Sequence, residues 1–315
     1  MEHQDGQTDD DDHDHDHAHD HSHTPANFGK AFAIGIALNT GFVVLEAAYG
    51  IFANSVALLA DAGHNLSDVL GLIVAWVATI LAKRAPTPRF TYGLRGSSIL
   101  AALFNAMFLL VAVGAIFWEA IQRFSSPEPV AGYTVMAVAA AGILVNGVTA
   151  WLFASGAKGD LNIRGAFLHM AADALVSAAV VMAGFIILQT NWQWLDPAMS
   201  IVICLVIVWG TWGLLRDSLV MSMAAVPAHI DPQKVRKFLE SQPGVTAIHD
   251  LHIWHMGTTE IAMTCHVVMP DGHPGDAFTR DLAVMLEHDF KIGHPTIQIE
   301  TNPDNNCAFA PDEVI

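Results

Sequence analysis

An α-helical membrane domain of six spans, followed by a small C-terminal α+β domain, is the fold class this sequence predicts, and three observations predict it. Only 14% of the residues are Asp, Glu, Lys or Arg, against about 25% in ordinary soluble proteins. The shortage lies between Phe28 and Leu215, where long apolar stretches alternate with short polar breaks. Each stretch can supply the ~20 residues that cross a bilayer. Beyond Leu215 the composition is that of a soluble domain.

The spans are expected at 30–52, 57–82, 97–121, 131–153, 163–188 and 195–215, and the breaks between them carry turn chemistry. Ala85-Pro86-Thr87-Pro88 ends the second span, Ser125-Ser126-Pro127-Glu128-Pro129 the third, and Ser155-Gly156 with Lys158-Gly159 the fourth. Trp192 and Trp194, between the fifth and sixth, suit a membrane interface. Basic residues cluster on one side: Lys83, Arg84, Arg89 and Arg95 after the second span, Lys158 and Arg164 after the fourth, Arg216 after the sixth. The other side has only Arg123. The positive-inside rule then puts both termini in the cytoplasm. The expected divisions are a tail at 1–28, a six-span domain at 29–216 and a cytoplasmic domain at 217–315.

The formal net charge of −17 owes much to the tail. Residues 1–23 hold Glu2 and eight aspartates without one Lys or Arg, a composition that cannot fold alone. It has no basic region followed by an apolar core, so it does not read as a signal peptide. No dense basic patch exists to meet phosphates, which argues against a nucleic-acid partner. Cys204, Cys265 and Cys307 are widely spaced and imply no disulfide framework.

An ionisable side chain at the centre of a span costs about 2.5–3.5 kcal/mol on insertion scales, so each one needs a reason. The second span carries His64 and Asp68, the fifth His169 and Asp173, both as His-x-x-x-Asp. That spacing puts each pair on one helix face, a turn apart. Two such faces opposed would offer two imidazoles and two carboxylates, a tetrahedral set suited to Zn²⁺ and balanced in charge. Cobalt, cadmium, nickel and iron(II) accept similar ligands, whereas Cu(I) would favour sulfur. Asp61 lies on the same face and could pass protons, brace a ligand or sit at the span's interfacial end. Glu46, seven residues from Asn39 on the first span, reads as a paired, protonated strut or as part of a proton path.

In the tail, His13, His15, His17, His19, His21 and His23 alternate with Asp and small residues. Such tracts bind metal weakly; a solvated acidic tail is the plainer reading. Residues 222–315 read as an αββαβ unit: a helix from Asp231-Pro232 to Ser241, a hairpin of Ala247–Met256 and Glu260–Met269 around Gly257, a helix over 274–291 and a strand over 296–301. Strict alternation would place His249 and His255 on one face of the hairpin, His252 and Trp254 on the other.

These residues resemble the cation diffusion facilitator family, in its zinc-exporting branch, over nearly the whole chain after residue 28. The carriers are the run Asn54 to His64 with Asp68, then Arg89-Phe90-Thr91-Tyr92-Gly93, the run Asn162 to Asp173, and His249-Asp250-Leu251-His252-Ile253-Trp254. The resemblance implies a homodimer in the bilayer that exports cytoplasmic Zn²⁺ in exchange for protons by alternating access. It implies His64, Asp68, His169 and Asp173 as the transport site, with His at position 64 matching the zinc-selective pattern. It also implies a ferredoxin-like cytoplasmic domain with His249, His266, His294 and Glu300 as a regulatory metal site. One departure is Ser98, where the family often has an acidic residue, so a loop contact should differ. Competing readings are a broader divalent-cation exporter, a membrane zinc hydrolase and a metal sensor. The hydrolase would need an open metal position and a substrate cleft. An ATP-driven pump is disfavoured because no Gly-rich phosphate loop is present.

Overall fold

The computed structural model of the protein describes residues 30–82, 84–154, 161–302 and 307. The tail histidines, His13 to His23, lie outside the described residues. Six long helices come first: α1 (Lys30–Phe52), α2 (Val56–Ala82), α3 (Ser97–Ser125), α4 (Gly132–Ala154), α5 (Leu161–Thr190) and α6 (Leu195–Ser222). They follow the expected spans closely, except that α3 and α6 run on by a turn or more.

Among the described residues, four stretches are long and apolar enough to cross a membrane by length and composition alone: Ser97–Ser125, Gly132–Leu152, Phe167–Thr190 and Leu195–Ser222. The helices α1 and α2, 23 and 27 residues long, complete the bundle. At 1.5 Å per residue even α1 reaches the ~30 Å of a bilayer's hydrocarbon core. The protein is a multi-pass membrane protein. Asn54 and Asn191, with φ of 54° and 57°, follow α1 and α5 in the left-handed conformation; asparagine tolerates it better than most residues.

The helices α4 and α5 form the closest pair. Small residues make this approach possible: a Cβ on Gly142 would lie 2.8 Å from the Phe42 ring and 2.9 Å from Ser177 Oγ. On the other side α3 packs along α6, and α2 lies against α3. The helix α1 bridges α2 and α4, while α2 and α5 touch little. Phe42, Leu58, Val113, Val135, Val180, Ile203 and Cys204 fill the half of the bundle far from the C-terminal domain. In the near half the packing gives way to a cavity of about 700 Å³, lined by residues that include Asn39, Asn105, Thr149 and Thr211.

The C-terminal domain is α7 (Pro232–Glu240), β1 (Ala247–His255), β2 (Ile261–Val268), α8 (Asp276–Phe290) and β3 (His294–Glu300), the expected αββαβ order. Asp231 caps α7 by accepting from Gln233 N at 2.9 Å, with Pro232 at the first turn. The strands form one sheet in the order β1-β2-β3, antiparallel then parallel. Ile261, Met263, Cys265 and Val267 of β2 face a core completed by Val235, Leu239, Leu282 and Leu286 of the helices.

Strict alternation fails on β1. The register slips between His249 and His252, and Asp250 stands at φ 52°. The extra residue of a bulge reverses the parity of the strand. His249 pairs with His266 and His252 with Thr264, so both face away from the helices, and His255, paired with Ile261, faces them. The expected split between His249 and His252 is therefore corrected.

The domain docks on the α2–α3 connection. Arg95 meets Glu260 at 3.2 Å, and Thr258 N donates to Ser98 Oγ at 3.0 Å. Ser98 thus has a loop contact that an acidic side chain would make differently.

Candidate metal site

The two His-x-x-x-Asp pairs meet across the seam between α2 and α5. His64 Nε2 lies 3.2 Å from Asp173 Oδ1 and 3.8 Å from Asp68 Oδ2. His169 Nε2 lies 3.0 Å from Asp68 Oδ2 and 3.6 Å from Asp173 Oδ2. Ligand atoms about 2.1 Å from a tetrahedral Zn²⁺ would be ~3.4 Å apart, so these four distances scatter around the edges of that tetrahedron. All four residues offer atoms within 4.8 Å of one another. Asp173 is buried at 2% exposure, and the quartet lines the cavity in the half of the bundle nearer the C-terminal domain. A dication there would meet two imidazoles and two carboxylates, with no water needed to complete four ligands.

A second polar layer lies behind the quartet. Glu46 and Asp61 are fully buried and within hydrogen-bonding reach of each other. Asn65 Nδ2 donates to Glu46 Oε2 at 3.1 Å, and Ser177 Oγ donates to Asp61 Oδ2 at 3.3 Å. Glu46 and Asp61 lie together, one layer from the quartet and outside it.

In the C-terminal domain His249, His266 and Glu300 converge, and Cys307 joins them. His266 Nδ1 lies 2.9 Å from Glu300 Oε1 and 3.6 Å from Cys307 Sγ; His249 Nε2 lies 3.5 Å from Glu300 Oε1. Burial acts to raise the Glu300 carboxyl. The hydrogen bonds with His266 and Cys307 and the two imidazoles outweigh it and hold the group below its ordinary value. The bulge brings Asp250 to the same place, 3.5 Å from His266 Nε2 and 2.8 Å from His252 Nε2.

His294 is not with them. It pairs with Ala262 at one end of β3, whereas Glu300 pairs with Val268 at the other. Six residues of strand separate them, roughly 20 Å, and the His294 ring packs edge-on against Tyr92 with centroids 5.5 Å apart. The expected set thus loses His294 and meets Cys307, for which the sequence offered no spacing signal.

The three cysteines differ in access. Cys204 and Cys265 are buried, and burial pushes the Cys265 thiol up to about 12. Cys307 is half-buried. Maleimide at neutral pH is expected to label Cys307 and spare the other two in the folded protein, since thiolate and access both govern the reaction. Zinc should slow that labelling severalfold, read by peptide mass spectrometry. Labelling that ignores zinc would exclude Cys307 as a ligand.

Comparison with known proteins bears on both halves of the chain. The cation efflux transmembrane domain matches residues 32–221, and the cytoplasmic domain of cation efflux proteins matches residues 227–302. The zinc transporter ZitB of Pectobacterium atrosepticum is 38% identical over 91% of this chain and 90% of its own. A cadmium, cobalt and zinc/H(+)-K(+) antiporter of Bacillus subtilis is 36% identical over 88% of this chain and 90% of its own. The solved metal-bound C-terminal domain of the CzcD transporter from Cupriavidus metallidurans is 38% identical, covering 22% of this chain and 99% of that one, with a TM-score of 0.21. The relatives are named as transporters and antiporters, not as enzymes. Matched in its membrane half and its cytoplasmic half alike, and collinear with full-length relatives over nine tenths of its residues, the chain belongs to the cation efflux family.

Proposed function

We propose that the protein exports zinc from the cytoplasm in exchange for protons, with His64, Asp68, His169 and Asp173 as the transport site. The observation that carries the reading is the quartet itself: four neutral-or-anionic ligands at tetrahedral spacing, contributed equally by two helices that otherwise touch little. A broader divalent range, with cadmium and cobalt beside zinc, is the second reading, supported by the name of the Bacillus subtilis relative. The test is zinc uptake into sealed proteoliposomes, with a panel of competing cations. Uptake that needs the protein supports transport; tight zinc binding without any accumulation in the lumen would sink it and favour a sensor.

In this reading both termini and the domain at 217–315 are cytoplasmic, the domain at 29–216 crosses a bacterial inner membrane, and two copies form a homodimer. The cavity then faces the cytoplasm, so zinc would enter past Asn39, Thr149 and Thr211 to reach the quartet. Glu46 and Asp61 would serve the proton path. His249, His266 and Glu300, with Cys307, would hold a regulatory zinc ion, fixing the β1–β2 hairpin that docks on Arg95 and Ser98.

The tail at 1–28 would collect zinc weakly through His13 to His23 and raise its local concentration near the entrance. Deleting residues 1–23 is expected to leave flux at saturating zinc nearly unchanged and to lower it at limiting zinc. Flux measured across a zinc titration checks this. Equal losses at both ends would point instead to a role in folding or gating.

A further inference from the structure

At the end of the bundle far from the C-terminal domain, one carboxylate ties two helices together. Asp196 lies in the first turn of α6 and is 1% exposed. Its Oδ1 accepts from Ser55 Oγ, and its Oδ2 accepts from Val56 N at 2.8 Å. Ser55, itself fully buried, also accepts from Leu58 N at 3.2 Å. Asp196 and Ser55 thus satisfy free backbone donors of the α2 N-terminus, which would otherwise be orphaned in an apolar setting. The carboxylate also sits at the positive ends of two helix dipoles, those of α2 and α6.

An outer ring of contacts closes over it. Arg123 NH1 donates to Asn54 O at 2.8 Å, Arg123 Nε pairs with Glu119 at 2.8 Å, and Asn54 Nδ2 donates to Glu128 Oε2 at 2.7 Å. The connection before α2 is therefore held by α6 from beneath and by α3 and its following loop from above.

We propose that Asp196 is a positioning residue for the transport site. The inference rests on the assignment of the quartet. The helix α2 carries half of the quartet, and α5, which carries the other half, offers α2 little packing. The placement of His64 and Asp68 opposite His169 and Asp173 depends on what anchors α2 elsewhere. Nine residues, roughly 13 Å of helix, separate Ser55 from His64. A first turn that frays or slides lets the helix shift along its axis. Ligands need to be held within about 0.5 Å of a productive geometry, so a small slide loosens the metal site without unfolding the bundle.

The experiment is zinc flux against zinc concentration in proteoliposomes containing the full chain. Asp196→Asn keeps the shape but turns an NH₂ group towards one of the two donors. It is expected to raise the zinc KM about tenfold, with maximal flux within about twofold of the parent. Ser55→Ala leaves the Val56–Asp196 bond in place and should raise KM about threefold, on the scale of a lost cap. It also carries the test should Asp196→Asn not insert. Maximal flux that falls with KM unchanged, in either variant, would mean a packing role only and overturn the proposal; so would curves that match the parent. His64→Ala is the control for the assignment beneath. If His64→Ala abolishes flux and Asp196→Asn changes nothing, this inference alone fails; if His64→Ala changes nothing, both fail.

Discussion

Asp173→Asn is expected to lower zinc flux about 100-fold or more, with the protein still folded and inserted. Asp173 is the most buried of the quartet, at 2% exposure, and both of its oxygens face imidazoles, Oδ1 at 3.2 Å from His64 and Oδ2 at 3.6 Å from His169. The substitution removes one of two anionic ligands and leaves a dication half-neutralised on the buried side of the site. Breaking a buried charge pairing typically costs about 3–5 kcal/mol, more than the 2.7 kcal/mol that corresponds to ~100-fold. The amide also turns two hydrogen donors towards the metal position. Flux in proteoliposomes, with helicity followed by circular dichroism, is the measurement. Asp281→Asn, at an acid 66% exposed in the C-terminal domain, is the matched control and should behave as the parent. Near-parental flux in Asp173→Asn would show that the four residues meet for another reason.

Collapsing the proton gradient is expected to abolish accumulation of zinc against its own gradient. Zinc binding needs neutral imidazoles and ionised carboxylates, so metal and protons compete for the same atoms. In the proposed exchange, a site that opens to the acidic side would gain protons and shed zinc, and on returning would lose them to the cytoplasm. One pH unit is worth about 1.4 kcal/mol per proton, which sets about a tenfold zinc ratio for each proton exchanged. Proteoliposomes with the C-terminal domain outside, an acidic lumen, fixed external pH and the potential clamped by valinomycin with equal potassium would give that ratio. Equal potassium also removes a potassium gradient as an alternative driving force. Nigericin should bring the ratio to one, and an alkaline lumen should reverse it. Accumulation that ignores all three conditions would defeat the exchange mechanism even with the quartet intact.

The spans and the quartet were legible because their signals are local. Apolar runs end at Pro86, Pro127 and Asn191, and an i,i+4 pair on each of two helices needs no knowledge of the fold to be noticed. The C-terminal cluster was legible only in part. The bulge at Asp250 rests on one backbone angle in a residue that also fits an ordinary strand, so alternation put His249 and His252 on opposite faces. The family resemblance groups His294 with Glu300, but the strand carries them to opposite ends of the sheet. Cys307 returns to His266 after β3 has ended, a closure that no spacing announces. Asp196 carries no local signal of its role, for a different reason. A charged residue at the start of a span reads as interfacial, and only the fold shows it buried against Ser55 and Val56.

The even division of the quartet between two sparsely packed helices has a consequence for release. With α2 and α5 together the proposed site would be a four-toothed chelator. Parted, it becomes two bidentate halves, and neither His64 with Asp68 nor His169 with Asp173 can wrap an ion alone. Affinity then depends on the width of the seam more steeply than on any single ligand. A spread of an ångström or two at the seam trades tight capture for easy loss, with no ligand leaving its own helix. Under the proposed function, cargo and closure would become one event: the ion would be the clasp that draws the helices together.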